Sequence, residues 1–290
     1  MHRATESEAE ALRRFLAGSV ARGASGTDRI APRGDVTALM YFFWTREEAP
    51  RRWPAFEGAL LETWRNCGLL KTVVVSNGPH DCLAAFAARF PNVEVQVEPS
   101  LRPGEIDTMS VDCNARLHAR FATPYVLVVQ NDGFPVRPGL DEFVERGYDF
   151  IGSPYCRALP VPDLLTRILN YCPSNGGFSL RTKRICELAA RSWTKRYAGR
   201  AFVVAEMSED LFYTRTLPRR EPLFWLRRRQ APSIVSEFFS YEGEFPLCAK
   251  SLPFGFHTAT AFAALQEKFG KVMRNSCHQG EPCIIRQGRD

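Results

Sequence analysis

From residue 35 onward the apolar positions alternate between short runs rich in β-branched and aromatic residues and longer stretches spaced like one helix face. "VTALMYFFW" (36–44) and "KTVVVSNG" (71–78) read as strands, and between them Phe56, Leu60 and Trp64 recur every four residues. "HDCLAAFAARF" (80–90) reads as a helix and "VEVQVEP" (93–99) as an alternating strand, after which Met109, Cys113, Leu117 and Phe121 again keep helical spacing. A fourth strand opens "YVLVVQNDGFPV" (125–136), apolar from Tyr125 through Val129 and abruptly polar at Gln130, Asn131 and Asp132. The order β-α-β-α-β-α-β predicts an α/β fold, a mostly parallel sheet covered by helices on both faces, and a strand apolar on both sides belongs at its centre.

That placement gives the polar ending a meaning. In open α/β sheets the ligand crevice lies outside the carboxyl ends of the strands, which is where "QNDG" falls. Further on, "LDEFVERG" (140–147) reads as a helix and "YDFIGSPY" (148–155) as a strand. After residue 157 the alternation gives way to a less regular region. There "TKRICELAARSW" (182–193) is helical, "SEDLFYTRTL" (208–217) starts a helix at Ser208, and 218–256, rich in Pro, Phe and Arg, has no assignable period.

At the other end Thr5 and Glu8 fit a capping box opening the helix "TESEAEALRRFL" (5–16), and "GSVARGASGTDRIAPRG" (18–34) has the composition of a linker. Residues 1–34 are therefore expected to form a helix and flexible linker set apart from a single domain at 35–290. At 290 residues and 45% apolar composition the chain can bury a full core. It contains no continuous apolar stretch of the roughly 18–20 residues that span a bilayer, and its start lacks the apolar centre of a signal peptide, so a cytoplasmic protein is expected. Nine scattered cysteines without a C-x-x-C pair suggest neither a disulfide framework nor a structural zinc site. The formal charge of +6 suits anionic ligands such as phosphates, acidic glycans or lipid headgroups. Nucleic acid is not expected, because no recognition signature accompanies the charge. "RREPLFWLRRRQ" (219–230) interleaves Phe224 and Trp225 with five arginines, which suits peripheral contact with an anionic membrane or, alternatively, an amphipathic turn that packs Trp225 inward.

Five groups of residues carry candidate chemistry, each with a plainer reading beside it. Asp132, ending a central strand, is placed to hold a hard divalent cation that bridges a diphosphate, although Asn-Asp-Gly is also ordinary turn chemistry. In "NGGFSLR" (175–181), Gly176 and Gly177 allow close backbone approach and positive φ, and Asn175 and Ser179 can bond sugar hydroxyls; the same residues also make a turn entering a strand. Glu209 and Asp210 can supply a general base or simply complement a helix start. His257, in "PFGFHTAT", suits a metal or a phosphate, or a satisfied place in the core. Arg116, beside Asn114 on the helix preceding the Asp132 strand, can meet a diphosphate or solvent.

Taken in order, Asn114, "QND" (130–132), "YDFIGSP" (148–154), "NGGFSLR" (175–181), "ED" (209–210) and "GFH" (255–257) resemble a domain-of-unknown-function family regarded as glycosyltransferases of the GT-A fold. The similarity spans roughly residues 36–260. It implies a GT-A-like sheet whose first part (35–157) binds a nucleotide sugar and whose second part (158–290) holds the acceptor and the catalytic acids. It further implies that Asn114, Arg116, Asn131, Asp132, Asn175, Gly176 and Gly177 bind the donor, that Ser179, Arg181 and His257 contact acceptor or phosphate, and that Asp132 and His257 hold Mn2+ or Mg2+. Of the acidic pair Glu209 and Asp210, Asp210 takes the role of base. Position 130 is Gln where the Asp-x-Asp motif of GT-A enzymes has an acid, which removes one carboxylate from the metal set.

The expected activity is transfer of a sugar from a nucleotide donor, a UDP-sugar, to a hydroxyl of a glycan or glycolipid, with inversion at the anomeric carbon and at the inner face of the membrane. Two other classes compete. A non-catalytic nucleotide-sugar or glycan-binding module is favoured by the incomplete metal motif. A sugar nucleotidyltransferase would need a glycine-rich loop after the first strand, and "YFFWTREEAPRRW" (41–53) has no glycine.

Overall fold

The computed structural model describes residues 5–23, 30–68, 70–154, 174–197, 208–220, 231, 236, 238–242 and 251–279. Phe224, Trp225 and Arg227–Arg229, read above as a membrane contact, lie outside them, as do residues 24–29 of the proposed linker. The chain runs α1 (Glu6–Arg22), β1 (Val36–Phe42), α2 (Ala49–Cys67), β2 (Lys71–Ser76), α3 (Asp81–Arg89), β3 (Val93–Val97), α4 (Ile106–Arg116), β4 (Tyr125–Val128), α5 (Leu140–Val144), β5 (Phe150–Pro154), β6 (Ser174–Thr182) and α6 (Lys183–Tyr197). Then come α7 (Glu209–Leu211), a π-helical turn (Phe212–Thr216), α8 (Leu217–Arg220), β7 (Ser240–Tyr241), β8 (Gly255–Phe256) and α9 (Ala259–Gln279).

Six strands form one sheet in the order β3-β2-β1-β4-β6-β5. β1, β2, β3 and β4 pair in parallel, while β6 runs against both β4 and β5, so the sheet is mostly parallel as its sequence pattern predicts. β1 is buried along its whole length because both faces are covered. Ala38, Met40 and Phe42 meet Leu60, Trp64 and Phe86 of α2 and α3, whereas Leu39 and Tyr41 meet Met109, Cys113 and Leu117 on the opposite side. The chain moves from β1 outward to β3 and returns with β4 on the other flank of β1, which makes the carboxyl ends of β1 and β4 the topological switch point, the place where open α/β sheets bind ligands. β6, from the second part of the chain, is inserted between β4 and β5, so one sheet runs through both parts.

The N-terminal helix departs from expectation. α1 begins with the predicted capping box, in which Glu8 N–H donates to Thr5 Oγ1 (3.3 Å) and Thr5 N–H to Glu8 Oε2 (2.6 Å). It is nevertheless part of the core: Leu12 and Leu16 are buried, and the Phe15 ring lies 5.0 Å from that of Phe262 and 6.2 Å from that of Phe134. The cause is an apolar stripe at four-residue spacing joined to a buried polar anchor. Glu62 of α2 accepts from Ser19, from Arg22 (2.9 Å) and from Arg65 (2.5 Å), which extends the helix through the Gly-Ser run taken as linker.

Candidate active site

β4 hands its last amide bond to β1, Val129 N–H to Leu39 O at 2.9 Å, and the chain then reverses tightly. Gln130 N–H donates to Gly133 O (2.8 Å) and Gly133 N–H to Gln130 O (3.2 Å), leaving Asn131 and Asp132 partly exposed at the tip. The returning strand pairs with the segment before His257: Pro135 bridges Gly255, and Val136 N–H donates to Phe254 O at 2.8 Å. Thr258 N–H closes the frame on Asp132 O (2.7 Å) and holds Thr258 at φ +92°, a costly conformation for a β-branched residue. Asp132 and His257, 125 residues apart in sequence, are thereby tied together by backbone.

The His257 side chain is buried between two acceptors. Nδ1 lies 3.1 Å from Glu242 Oε1, and Nε2 lies 3.2 Å from Gln130 Oε1. Burial by itself favours the neutral ring, but the Glu242 charge and its hydrogen bond, with Asp132 and Asp210 adding to them, raise the pKa of His257 to about 9. The ring is therefore an imidazolium at neutral pH, with an N–H directed at each acceptor. Asp132 is tied to the residue after His257 by the Thr258 bond, and Glu209 and His257 lie against the adjacent glycines 176 and 177, so the candidate groups share one locality.

The acidic pair stands on a second buried charge. Arg181, 0% exposed on β6, donates to Ser179 Oγ (2.9 Å), Gly176 O (3.0 Å) and Glu209 Oε1 (3.2 Å), and its guanidinium carbon lies 4.5 Å from the centre of the Tyr213 ring. Burial and the adjacent Asp210 charge push the Glu209 carboxyl well above the ordinary range, with Arg181 opposing them. Asp210, the less buried of the two, accepts from Ser208 Oγ at 3.0 Å. Ser179 and Arg181, expected to contact acceptor or phosphate, are both fully buried and instead set the position of Glu209.

The paired glycines work through close approach. Neither has positive φ, and both lie inside β6 rather than in a turn before it. A Cβ at Gly176 would overlap Glu209 Oε1 and come within 2.5 Å of the Arg181 guanidinium. A Cβ at Gly177 would overlap His257 Nε2 and lie 2.7 Å from Gln130 Oε1. Asn175 prepares this stretch: its Oδ1 accepts from Gly177 N–H (2.7 Å) and its Nδ2 donates to Glu242 Oε1 (3.0 Å). Asn114 is completely buried on α4, next to Cys113, whose carbonyl accepts from Tyr213 Oη at 3.3 Å. Arg116 is directed elsewhere; its side chain is 55% exposed and is bonded to Glu98 at 2.7 Å.

Glu242 is the residue that sequence reasoning missed. It falls in the aperiodic stretch 218–256, where its only signal is an acid set between Tyr241 and Gly243. The departure at position 130 acquires a reason at the same time, since the Gln130 carboxamide supplies a neutral acceptor to the Nε2–H edge of His257.

The donor set does not fit a divalent ion held by Asp132 and His257. Nδ1 of His257 faces Glu242 Oε1, and Nε2, the nitrogen left over, meets Gln130 Oε1 at 3.2 Å rather than an open position. Among the described residues, no three His, Cys, Asp or Glu side chains converge as ligands. Also among them, no helix is long and apolar enough to cross a membrane.

A family model described as "Protein of unknown function (DUF5672)" matches residues 107–257, a span that includes every candidate residue named above. No curated protein matches the sequence. Among solved structures, the mannosyltransferase PcManGT from Pyrobaculum calidifontis in complex with GDP-Man and Mn2+ is similar at 14% identity and a TM-score of 0.33, over 71% of this chain and 62% of that one. The galactosyltransferase LgtC in complex with donor and acceptor sugar analogs is similar at 14% identity and a TM-score of 0.46, over 82% of this chain and 95% of that one.

Proposed function

The chain belongs to the DUF5672 family, and from that premise we propose that it is a glycosyltransferase, moving a sugar from a UDP-type nucleotide donor to a hydroxyl of a glycan or glycolipid. The observation that carries this reading is the assembly of Asp132, Asp210 and Glu242 about the buried His257 imidazolium, beside the switch point of the sheet. Such a site offers a cation to a diphosphate and a carboxylate to an acceptor hydroxyl. In the proposed reaction the bond from the anomeric carbon to the diphosphate oxygen breaks and its electron pair leaves with the diphosphate. The acceptor oxygen bonds to that carbon, and its proton passes to Asp210. Charge growing on the diphosphate is stabilised by the His257 Nε2–H, a donor held in place before the reaction begins. Arg181 and Glu209 keep Asp210 in position. One displacement from the opposite face inverts the anomeric centre.

The test uses the purified full chain, a panel of nucleotide sugars and an acceptor extract, with release of nucleoside diphosphate as the readout. Asp210→Asn is expected to lower turnover by about 10²-fold or more. Unchanged turnover in that variant, or no release from any donor, overturns the assignment. The poor fit to a metal ion favours a second reading, a binding module without turnover; a nucleotide-sugar affinity indifferent to Asp210→Ala and unaccompanied by product would establish it.

A further inference from the structure

Glu242 follows β7, is 4% exposed, and gathers three separate stretches of chain. Its Oε1 accepts from His257 Nδ1 (3.1 Å) and from Asn175 Nδ2 (3.0 Å), and Asn175 passes the connection to Gly177 N–H at 2.7 Å. Its backbone carbonyl accepts from Thr258 Oγ1 (3.0 Å), and Thr258 N–H reaches Asp132 O at 2.7 Å. His257 N–H is meanwhile fixed to Tyr241 O at 2.9 Å. One buried residue therefore joins the start of β6, the Gly-Phe-His segment and the Gln130–Gly133 turn. A carboxylate is taken out of water only at a high cost, and it persists where charged partners offset that cost.

We propose that Glu242 is the positioning residue of this site: by accepting from Nδ1–H it turns the His257 ring so that the Nε2–H is offered, beside Gln130, to an oxygen of a bound nucleoside diphosphate. The role rests on the glycosyltransferase reading for its ligand but not for its geometry. Gln130 Oε1 occupies the Nε2–H edge that the phosphate oxygen would share or take over. The charged groups facing His257 are Glu242 from the end of β7, Asp132 from the turn after β4 and Asp210 from α7. Of these Glu242 alone bonds the ring directly. Its loss is therefore expected to release both the orientation and the proton of the imidazole.

The experiment compares the full chain and its Glu242→Gln variant, both labelled with 15N-histidine, with the His257 ring signals assigned through His257→Gln. UDP is the probe, its affinity measured by calorimetry between pH about 6 and about 10, a range spanning ordinary and raised imidazole titrations. In the parent protein His257 is expected to titrate near 9, with UDP affinity held until that pH and lost above it. In Glu242→Gln the titration and the loss of affinity move down toward about 6.5, so affinity falls by about tenfold or more at pH about 8 while staying within about threefold at pH about 6. Equal weakening at all pH values would mark Glu242 as merely structural and overturn the proposal, as would superimposable profiles. An ordinary titration of His257 in the parent protein overturns it without any variant, which keeps the test decisive should Glu242→Gln not fold. If UDP does not bind at all, the donor assignment fails separately, and the ring titration still decides the hold of Glu242 on His257.

Discussion

Arg181→Met tests whether the acidic pair is organised from beneath by a buried cation. Methionine keeps much of the side chain's volume and removes its charge and every donor. The three hydrogen bonds to Ser179, Gly176 and Glu209 disappear, and the stacking over Tyr213 becomes an uncharged contact. Breaking a fully buried pair by removing one partner costs about 3–5 kcal/mol, because the other charge is left without compensation. Here the residual charge has an exit, since burial and Asp210 already raise the pKa of Glu209 and the loss of Arg181, which opposes them, raises it further. The cost is therefore expected toward the lower end, about 3 kcal/mol, including the lost cation–π attraction. Glu209→Gln leaves Arg181 an amide oxygen, and the double variant should be less destabilised than the sum of the two, with a coupling of about 1–3 kcal/mol. Urea denaturation at neutral pH with an unchanged m-value measures all four corners of the cycle. A cost below about 1 kcal/mol for Arg181→Met, or additivity within about 0.5 kcal/mol, would refute the pairing of Arg181 with Glu209.

Further outcomes follow from other parts of the structure. Gly177→Ala places a methyl against His257 and Gln130; it is expected to destabilise by about 1–3 kcal/mol and to weaken UDP binding in a calorimetric titration. Leu16→Ala should cost about 2–5 kcal/mol in urea denaturation, whereas an arm detached from the fold would show almost none. The raised pKa of His257 contributes stability that is fully present below about pH 6.5 and lost as pH rises through about 9; it amounts to roughly 3 kcal/mol. The stability gap between the parent chain and His257→Gln should accordingly shrink as urea titrations move up through that window. Glu98 has the opposite sign: burial opposes its ionisation, but bonds from Ser100, Arg120 and Arg116 hold it at about 2, so its contribution is fully present above about pH 4.5 and is lost as pH falls from there through about 2. Replacing it by Gln should flatten the acid limb of a pH-dependent melting curve.

The sheet was legible because a strand buried on both faces is mostly apolar, and β1 is buried along its whole length while β2 and β4 are buried apart from their first residues. The polar end of "YVLVVQNDG" marked the crevice for the same reason. What escaped was set by long-range contact rather than by local pattern. The Gly-Ser composition of 18–34 resembles a linker, and only Glu62, some 40 residues away, makes Ser19 a helix residue. Glycine at 176 and 177 suggested a turn, because sequence records the absence of a side chain and not the Glu209 and His257 groups that need the space. Arg181 looked like a ligand contact in a polar motif, yet its partners Glu209, Tyr213 and Cys113 come from three other elements and enclose it. Glu242 had no periodic neighbour to mark it, and its importance lies in Asn175, His257 and Thr258, all distant in sequence.

The two glycines also explain how the site can hold opposite charges apart. Successive residues of a strand direct their substituents to opposite faces. The Cβ direction at Gly176 meets Glu209 and Arg181, and that at Gly177 meets His257 and Gln130. The start of β6 is therefore a partition one backbone thick, with the carboxyl pair on one side and the imidazolium on the other. Side chains at these positions would push both groups away and weaken the influence of Asp210 on His257, which acts across this partition. Bare backbone at these two positions lets the acidic pair and the imidazole approach the strand from its two sides, which gives the Asn-Gly-Gly sequence a physical requirement beyond its turn chemistry.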